Sequence, residues 1–310
     1  MLPDAGYIRY CCTLCALILS VWACQSGSSD TSKGESSFPY RFDAPDTTIV
    51  LPPSLREISG LSLSSDGHHL LAVNDEEGIV FFINLENGAI DSTLEFARHG
   101  DYEGIEAVGE YIYVVKSNGK LYRIAPDGKT ETIETSLHGG NNVEGLCYDA
   151  LHGRLLLACK GEAGEGARFK GKKAVYAYDL HNDQFLESPV YLLNRDTIAA
   201  QKRLPGGLVQ RLNDFFSTEH ASTAFSPSGL AVHPADSLLY VVASVGKSIV
   251  AVHEDGRIAG VAALPADILP QPEGICFDRL GRLYISTEGR KQSGRILRFS
   301  KWRQPLVGEK

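Results

Sequence analysis

From Phe38 onward, apolar and polar positions alternate in short runs rich in Val, Ile, Tyr and Phe, separated by Asp-Gly, Asn-Gly and other glycine-containing turns. Alternation with period two and turn residues at regular intervals predict an all-β chain of short antiparallel strands. In the first stretch the pattern predicts strands at Ile58–Ser64, Leu70–Asp75, Ile79–Leu85 and Ile90–Phe96. Asp66-Gly67 and Asn87-Gly88 form the turns, where glycine takes positive φ without strain. The next stretch gives Ile105–Val108, Tyr111–Ser117, Leu121–Ala125 and Thr130–Thr135. Leu230–Pro234, Leu238–Ser244, Ile249–Glu254 and Ile258–Leu264 repeat the scheme later in the chain.

A recurring segment chooses among all-β folds. Glu57-Ile-Ser-Gly-Leu61, Tyr102-Glu-Gly-Ile-Glu106, Val143-Glu-Gly-Leu-Cys147, Pro227-Ser-Gly-Leu-Ala231 and Pro272-Glu-Gly-Ile-Cys276 share one form, with glycines at 60, 104, 145, 229 and 274. The glycines are 44, 41, 84 and 45 residues apart, and about 40–45 residues is the length of a four-stranded propeller blade. The long interval holds one blade (Leu146–Asp149, Leu155–Lys160, Val175–Leu180, Val190–Leu193) plus a helical insertion over residues 195–226. The last blade shows three strands, Ile275–Asp278, Leu283–Thr287 and Arg295–Phe299. Thr47–Leu51 is expected to supply its fourth and so remove the sheet edge. The expected fold is a five-bladed β-propeller over residues 39–310, with six blades as the alternative.

These motifs, with Arg56-Glu-Ile-Ser-Gly-Leu61, Asp101-Tyr-Glu-Gly-Ile-Glu106 and Phe225-Ser-Pro-Ser-Gly-Leu-Ala-Val-His-Pro234, resemble the SdiA-regulated (YjiK-like) family across Thr47 to Phe299. The resemblance implies a five-bladed propeller distantly similar to NHL-repeat proteins, with a calcium site within the family. It implies no catalytic activity.

The N-terminus reads as an address. Tyr10–Ala23 is apolar, follows Arg9 and is shorter than the roughly 20 residues of a membrane span. It ends in Val21-Trp22-Ala23-Cys24, which resembles a bacterial lipobox with Cys24 as the lipidated residue. Residues 1–23 are thus expected to be a lipoprotein signal peptide, and residues 24–38, rich in Ser and Gly, a flexible tether. The expected location is the cell envelope, lipid-anchored to a bacterial membrane and facing the periplasm. The net charge of −8 is unchanged by loss of the leader, which removes one Asp and one Arg. Without a basic cluster, this acidity argues against nucleic acid as a partner. Cys147, Cys159 and Cys276 lie in apolar runs with no metal or redox spacing, and Cys147 and Cys276 read as core.

Candidate chemistry follows from propeller geometry. The start of a blade's first strand and the end of its second lie on one face. Glu103, Glu144 and Glu273 should therefore surround one mouth of the central channel, with Glu57, Asp75 and Glu288 as outer candidates. Two carboxylates about 6 Å apart repel by roughly 3 kcal/mol at an effective dielectric near 20. A hard cation such as calcium suits such a ring. The alternatives are that the glutamates merely orient neighbouring blades, or that Lys116 and Lys160 neutralise them. No HExxH, GxSxG or P-loop pattern is present. The function expected is a membrane-anchored binding or scaffold propeller for a protein or small ligand, without catalytic activity. The alternative is a calcium-dependent hydrolase of esterase, lactonase or phytase type.

Overall fold

The computed structural model describes residues 38–202 and 225–302. Strand β1 (Thr47–Val50) comes first. Blade one is β2 (Ile58–Leu63), β3 (His69–Asn74), β4 (Ile79–Asn84) and β5 (Ile90–Glu95). Blade two is β6 (Tyr102–Val108), β7 (Tyr111–Lys116), β8 (Leu121–Ile124) and β9 (Thr130–Ile133). Blade three is β10 (Val143–Asp149), β11 (Arg154–Cys159), β12 (Lys172–Asp179) and β13 (Gln184–Asn194). Blade four is β14 (Ser226–Val232), β15 (Leu239–Val245), β16 (Ser248–Val252) and β17 (Ile258–Ala263). Blade five is β18 (Pro272–Phe277), β19 (Leu283–Thr287) and β20 (Arg295–Phe299), completed by β1. The innermost strands contact one another in a closed cycle, β2 to β6 to β10 to β14 to β18 and back to β2. The fold is the five-bladed propeller expected. β1 pairs with β20 from Thr47↔Arg298 to Val50↔Arg295 and closes the ring.

The alternation of the strands places one apolar face of each blade against the next. Leu61, Leu70, Ala72, Phe81 and Ile83 of blade one pack with Cys276, Tyr284 and Ile296 of blade five. Cys147 and Cys276 are buried free thiols, as a core reading requires. The insertion begins with helix α1 (Arg195–Gln201), whose N-cap Asn194 accepts from Asp196 N at 2.9 Å and Thr197 N at 3.1 Å. Residues 203–224 of the expected insertion lie outside the described residues, as do the leader, Cys24 and nearly all of the tether. The last residue of the expected insertion, Ser226, belongs to β14. Phe38 is buried against Phe42 and Tyr240, so packed structure begins at least one residue before the expected boundary.

Several strand starts need correction. The innermost strands of blades two, three, four and five start at Tyr102, Val143, Ser226 and Pro272, upstream of the expected Ile105, Leu146, Leu230 and Ile275. The third strand of blade three starts at Lys172, not Val175. The motif itself is strand, interrupted by a bulge. The outer strand of blade three runs over eleven residues from Gln184, beyond the expected Val190–Leu193. Its pairing shifts between Val175↔Tyr191 and Ala177↔Leu186, around Pro189, which has no N–H for the ladder.

The motif glycines permit the contacts at the axis. A Cβ added at Gly60 would lie 2.8 Å from Ile105 N, one at Gly104 2.8 Å from Leu146 N, and one at Gly145 2.5 Å from Leu230 Cδ2. The remaining two would lie 2.3 Å from Glu273 O (Gly229) and 2.6 Å from Leu61 N (Gly274). Each glycine therefore rests on the corresponding segment of the next blade, and in all five cases the nearest atoms include backbone that cannot rotate away. Gly274→Ala should lower stability by about 1–3 kcal/mol or more, the usual cost of overpacking. Gly139→Ala, with no atom within 4 Å of the added methyl, should be silent. Urea unfolding of the two variants compares them directly, and equal stabilities would contradict the close-approach role.

Candidate functional site: the carboxylate mouth

The same segment that brings the blades together also positions the candidate site. In each blade the pairing of the first two strands shifts at the motif. Tyr102↔Lys116 is followed by Gly104↔Val115, Val143↔Cys159 by Gly145↔Ala158, and Pro227↔Ala243 by Gly229↔Val242. The shift spans Ile58 to Leu61 in blade one and Pro272 to Ile275 in blade five. The residue before the glycine is thus the extra residue of a β-bulge, a device that re-aims a side chain. Around the axis these residues are Ser59, Glu103, Glu144, Ser228 and Glu273.

Glu57 is set apart from the three inner glutamates. It stands three residues before Gly60, so Ser59 takes the position that glutamate takes in blades two, three and five. Ser59 Oγ donates to Tyr102 O at 2.6 Å, and Ser228 Oγ donates to Pro272 O at 2.7 Å. Two of the five positions therefore do tie neighbouring blades together, through serine. Between them the axial channel narrows to a void of about 10 Å³, lined by the motif glycines and by Glu103, Glu144 and Ser228. That is room for about one water. A larger ligand meets the mouth, not the channel.

The three glutamates sit in strongly perturbing surroundings. Burial, followed by repulsion from Glu144 and a hydrogen bond with Asp101, pushes Glu103 up to about 10. Asp101 is itself held by the Ser117 hydroxyl. Burial raises Glu273 well above the ordinary carboxylate range, with Glu288 and Glu144 adding repulsion. Glu144 is buried, yet Lys160 Nζ lies 2.8 Å from it and Asn142 Nδ2 donates to it at 2.7 Å. Burial outweighs these partners, so its affinity for a proton is still raised. Glu144, Glu273 and Glu103 all act electrostatically on Lys160. That lysine is an internal cation of the mouth.

The outer candidates gather on the same face. Burial and repulsion from Glu57 lift Asp75 to about 6, and its Oδ1 is buried with no hydrogen-bond partner. Gln271 Nε2 donates to Glu288 Oε2 at 2.5 Å, while Arg290 Nε donates to Gln271 Oε1 at 2.5 Å. Burial, then repulsion from Asp75, raises Glu288. Lys116 does not pair with the inner glutamates as Lys160 does; its ammonium lies 5.4 Å from the centre of the Tyr102 ring.

As a test for a bound hard cation, this arrangement divides. Carboxylate oxygens are the right donors for calcium. Yet among the described residues no three His, Cys, Asp or Glu side chains are gathered closely enough to hold a metal ion. Positive charge is supplied from within by Lys160, while burial favours the neutral, protonated form of Glu103.

Sequence reasoning passed over Glu106 and Asp101. Glu106 lies two residues beyond the motif glycine, at the position of Cys147 and Cys276. Burial lifts it to about 7 while Ser62 Oγ donates to it at 2.9 Å. Its place in the repeat was readable from the motif spacing. The pairing of Asp101 with Glu103 had no sequence signal.

No family model matches the chain, and no curated protein does. Its neighbours among solved structures are β-propeller proteins. The glutaminyl cyclase of Myxococcus xanthus superposes with a TM-score of 0.51 at 15% identity, over 83% of this chain and 95% of that one. A streptogramin B lyase gives 0.49 at 11% identity, over 82% and 97%. A chain of a nidogen/laminin complex gives 0.47 at 15%, over 74% and 72%. At these identities the likeness is one of fold.

The raised glutamates set a pH dependence. Glu103 binds its proton more tightly folded than unfolded, so its contribution is fully present below the ordinary carboxylate range. It is lost as pH climbs from about 4.5 toward about 10, by at most about 1.4 kcal/mol per pH unit. Glu103→Gln should raise the melting temperature at pH 8.5 and leave it nearly unchanged at pH 4.5. Thermal melts at both values check this; a destabilised variant at pH 8.5 would contradict it.

Proposed function

We propose that the protein is a lipid-anchored, non-catalytic binding propeller of the SdiA-regulated (YjiK-like) type, and that its carboxylate mouth takes up calcium. The observation that carries the reading is the ring of bulge residues. Glu103, Glu144 and Glu273 stand at one mouth of a narrow channel, and Glu144 and Glu273 are buried to about 95%. Carboxylates held this way attract positive charge, whether as a proton, as the Lys160 ammonium or as a divalent ion. The anchor rests on the lipobox-like Val21-Trp22-Ala23-Cys24. Several acyl chains, at about 0.8 kcal/mol per buried CH₂, would hold the domain at a membrane surface.

Calcium would have to meet Glu103 without its proton. Binding is therefore linked to proton release, and affinity should rise with pH. Titration calorimetry of the soluble domain in two buffers of different ionisation enthalpy measures that release. The expected result is calcium binding at pH 8 that weakens markedly at pH 6 and is lost in Glu144→Gln. No heat at millimolar calcium at either pH would leave the mouth neutralised by its own lysine and proton, and would refute the calcium reading.

Anchoring has its own test. In cells exporting the full chain, Cys24→Ala should leave the leader uncleaved or move the protein to the soluble fraction. Intact mass of the membrane-bound protein should show acyl groups on Cys24, and their absence would remove the anchor from the account.

A further inference from the structure

On the face opposite the mouth, between blades five and one, lies a cleft of about 580 Å³, a size typical of small-molecule sites. Its walls come from the β2–β3 turn and the start of β3 (His68, His69), from the β4–β5 turn and the start of β5 (Glu86, Asp91), and from Arg282 and Arg298 of blade five. Strand pairing explains the meeting. Arg298 stands beside Tyr284 on β19 and Thr47 on β1, so pairing on both sides fixes its place at the cleft.

The charges there are unevenly matched. The Arg282 guanidinium is held by Asp278 at its Nε. Asp91 is engaged by His69 Nε2 at 3.1 Å and accepts from Asn84 Nδ2 at 2.9 Å. Among the described residues Arg298 has no carboxylate within ion-pair distance, and its Nε is buried with no hydrogen-bond partner. A buried donor left unmade costs about 1–3 kcal/mol, and more for a charged group. Arginine also presents a planar fork suited to two oxygens of a carboxylate or phosphate.

We infer that this cleft binds a small oxyanion ligand, a carboxylate or phosphate ester seated on Arg298 and Arg282. A hydroxyl or amino group of the ligand would reach Asp91 or Glu86. The site lies away from the carboxylate mouth, so it stands or falls independently of the calcium reading. In a chain of net charge −8, it offers an anion an unpaired arginine beside a second one fixed by Asp278.

The test uses inorganic phosphate and citrate as separate probes on the soluble domain, followed by calorimetry and by the Nε–H resonances of Arg298 and Arg282. Saturable binding that shifts those resonances is expected, weakened by about tenfold or more in Arg298→Gln. A response to phosphate alone points to a phosphoryl ligand, one to citrate alone to a carboxylate, and either supports the site. If Arg298→Gln does not fold, the wild-type resonances still decide. No shift with either probe, or equal binding by a folded Arg298→Gln, would overturn the inference.

Discussion

At the axis of the propeller, backbone rests on backbone. A methyl group at any of the five motif glycines would come within 2.8 Å of an atom of the next blade. This approach draws the five innermost strands into a ring whose channel holds about one water. The hydrophobic faces between blades supply cohesion, but they could be satisfied by sheets at many spacings. The glycine contacts fix the spacing. They also account for the bulge, since the strand must kink at the point where it meets its neighbour.

From that constraint the electrostatics follow. A bulge residue beside a glycine at the axis leaves its side chain little freedom, and in blades two, three and five that residue is glutamate. Three carboxylates are thereby carried into a poorly solvated mouth. Burial is the largest cause of the raised proton affinity at each of them. The protein answers with local compensation: Lys160 on Glu144, and a raised proton affinity at Glu103, which hydrogen-bonds with Asp101. Blades one and four carry serine instead, and there the same position binds the next blade's carbonyl without a charge penalty.

Much of this was legible in the sequence because it repeats. The glycine spacing gave five blades, and the alternation placed most strands to within a residue or two. The recurrent Glu-Gly put Glu103, Glu144 and Glu273 at one mouth. What escaped was whatever depends on a single position's geometry. Ser59 and Ser228 stand where glutamate stands in the other blades, and nothing in the local pattern shows that they bind the next blade's carbonyl. The bulge is invisible to periodicity because it inserts one residue without changing the composition of the run. The long outer strand of blade three was hidden by Pro189, which breaks the pattern but not the sheet. Packing of Phe38, Tyr40 and Phe42 against Tyr240, Phe277 and Phe299 depends on where the ring places blades four and five, which no local pattern encodes.

The central claim is that axial packing forces carboxylates into a mouth that must hold positive charge of its own. Site-resolved carbon NMR of the Glu103 carboxyl, followed from pH 3 to pH 10 in metal-free buffer, tests it most directly. The account predicts that Glu103 stays protonated through the ordinary carboxylate range and begins to titrate only in alkaline solution. A midpoint near that of a solvated glutamate, about 4.3, would contradict it.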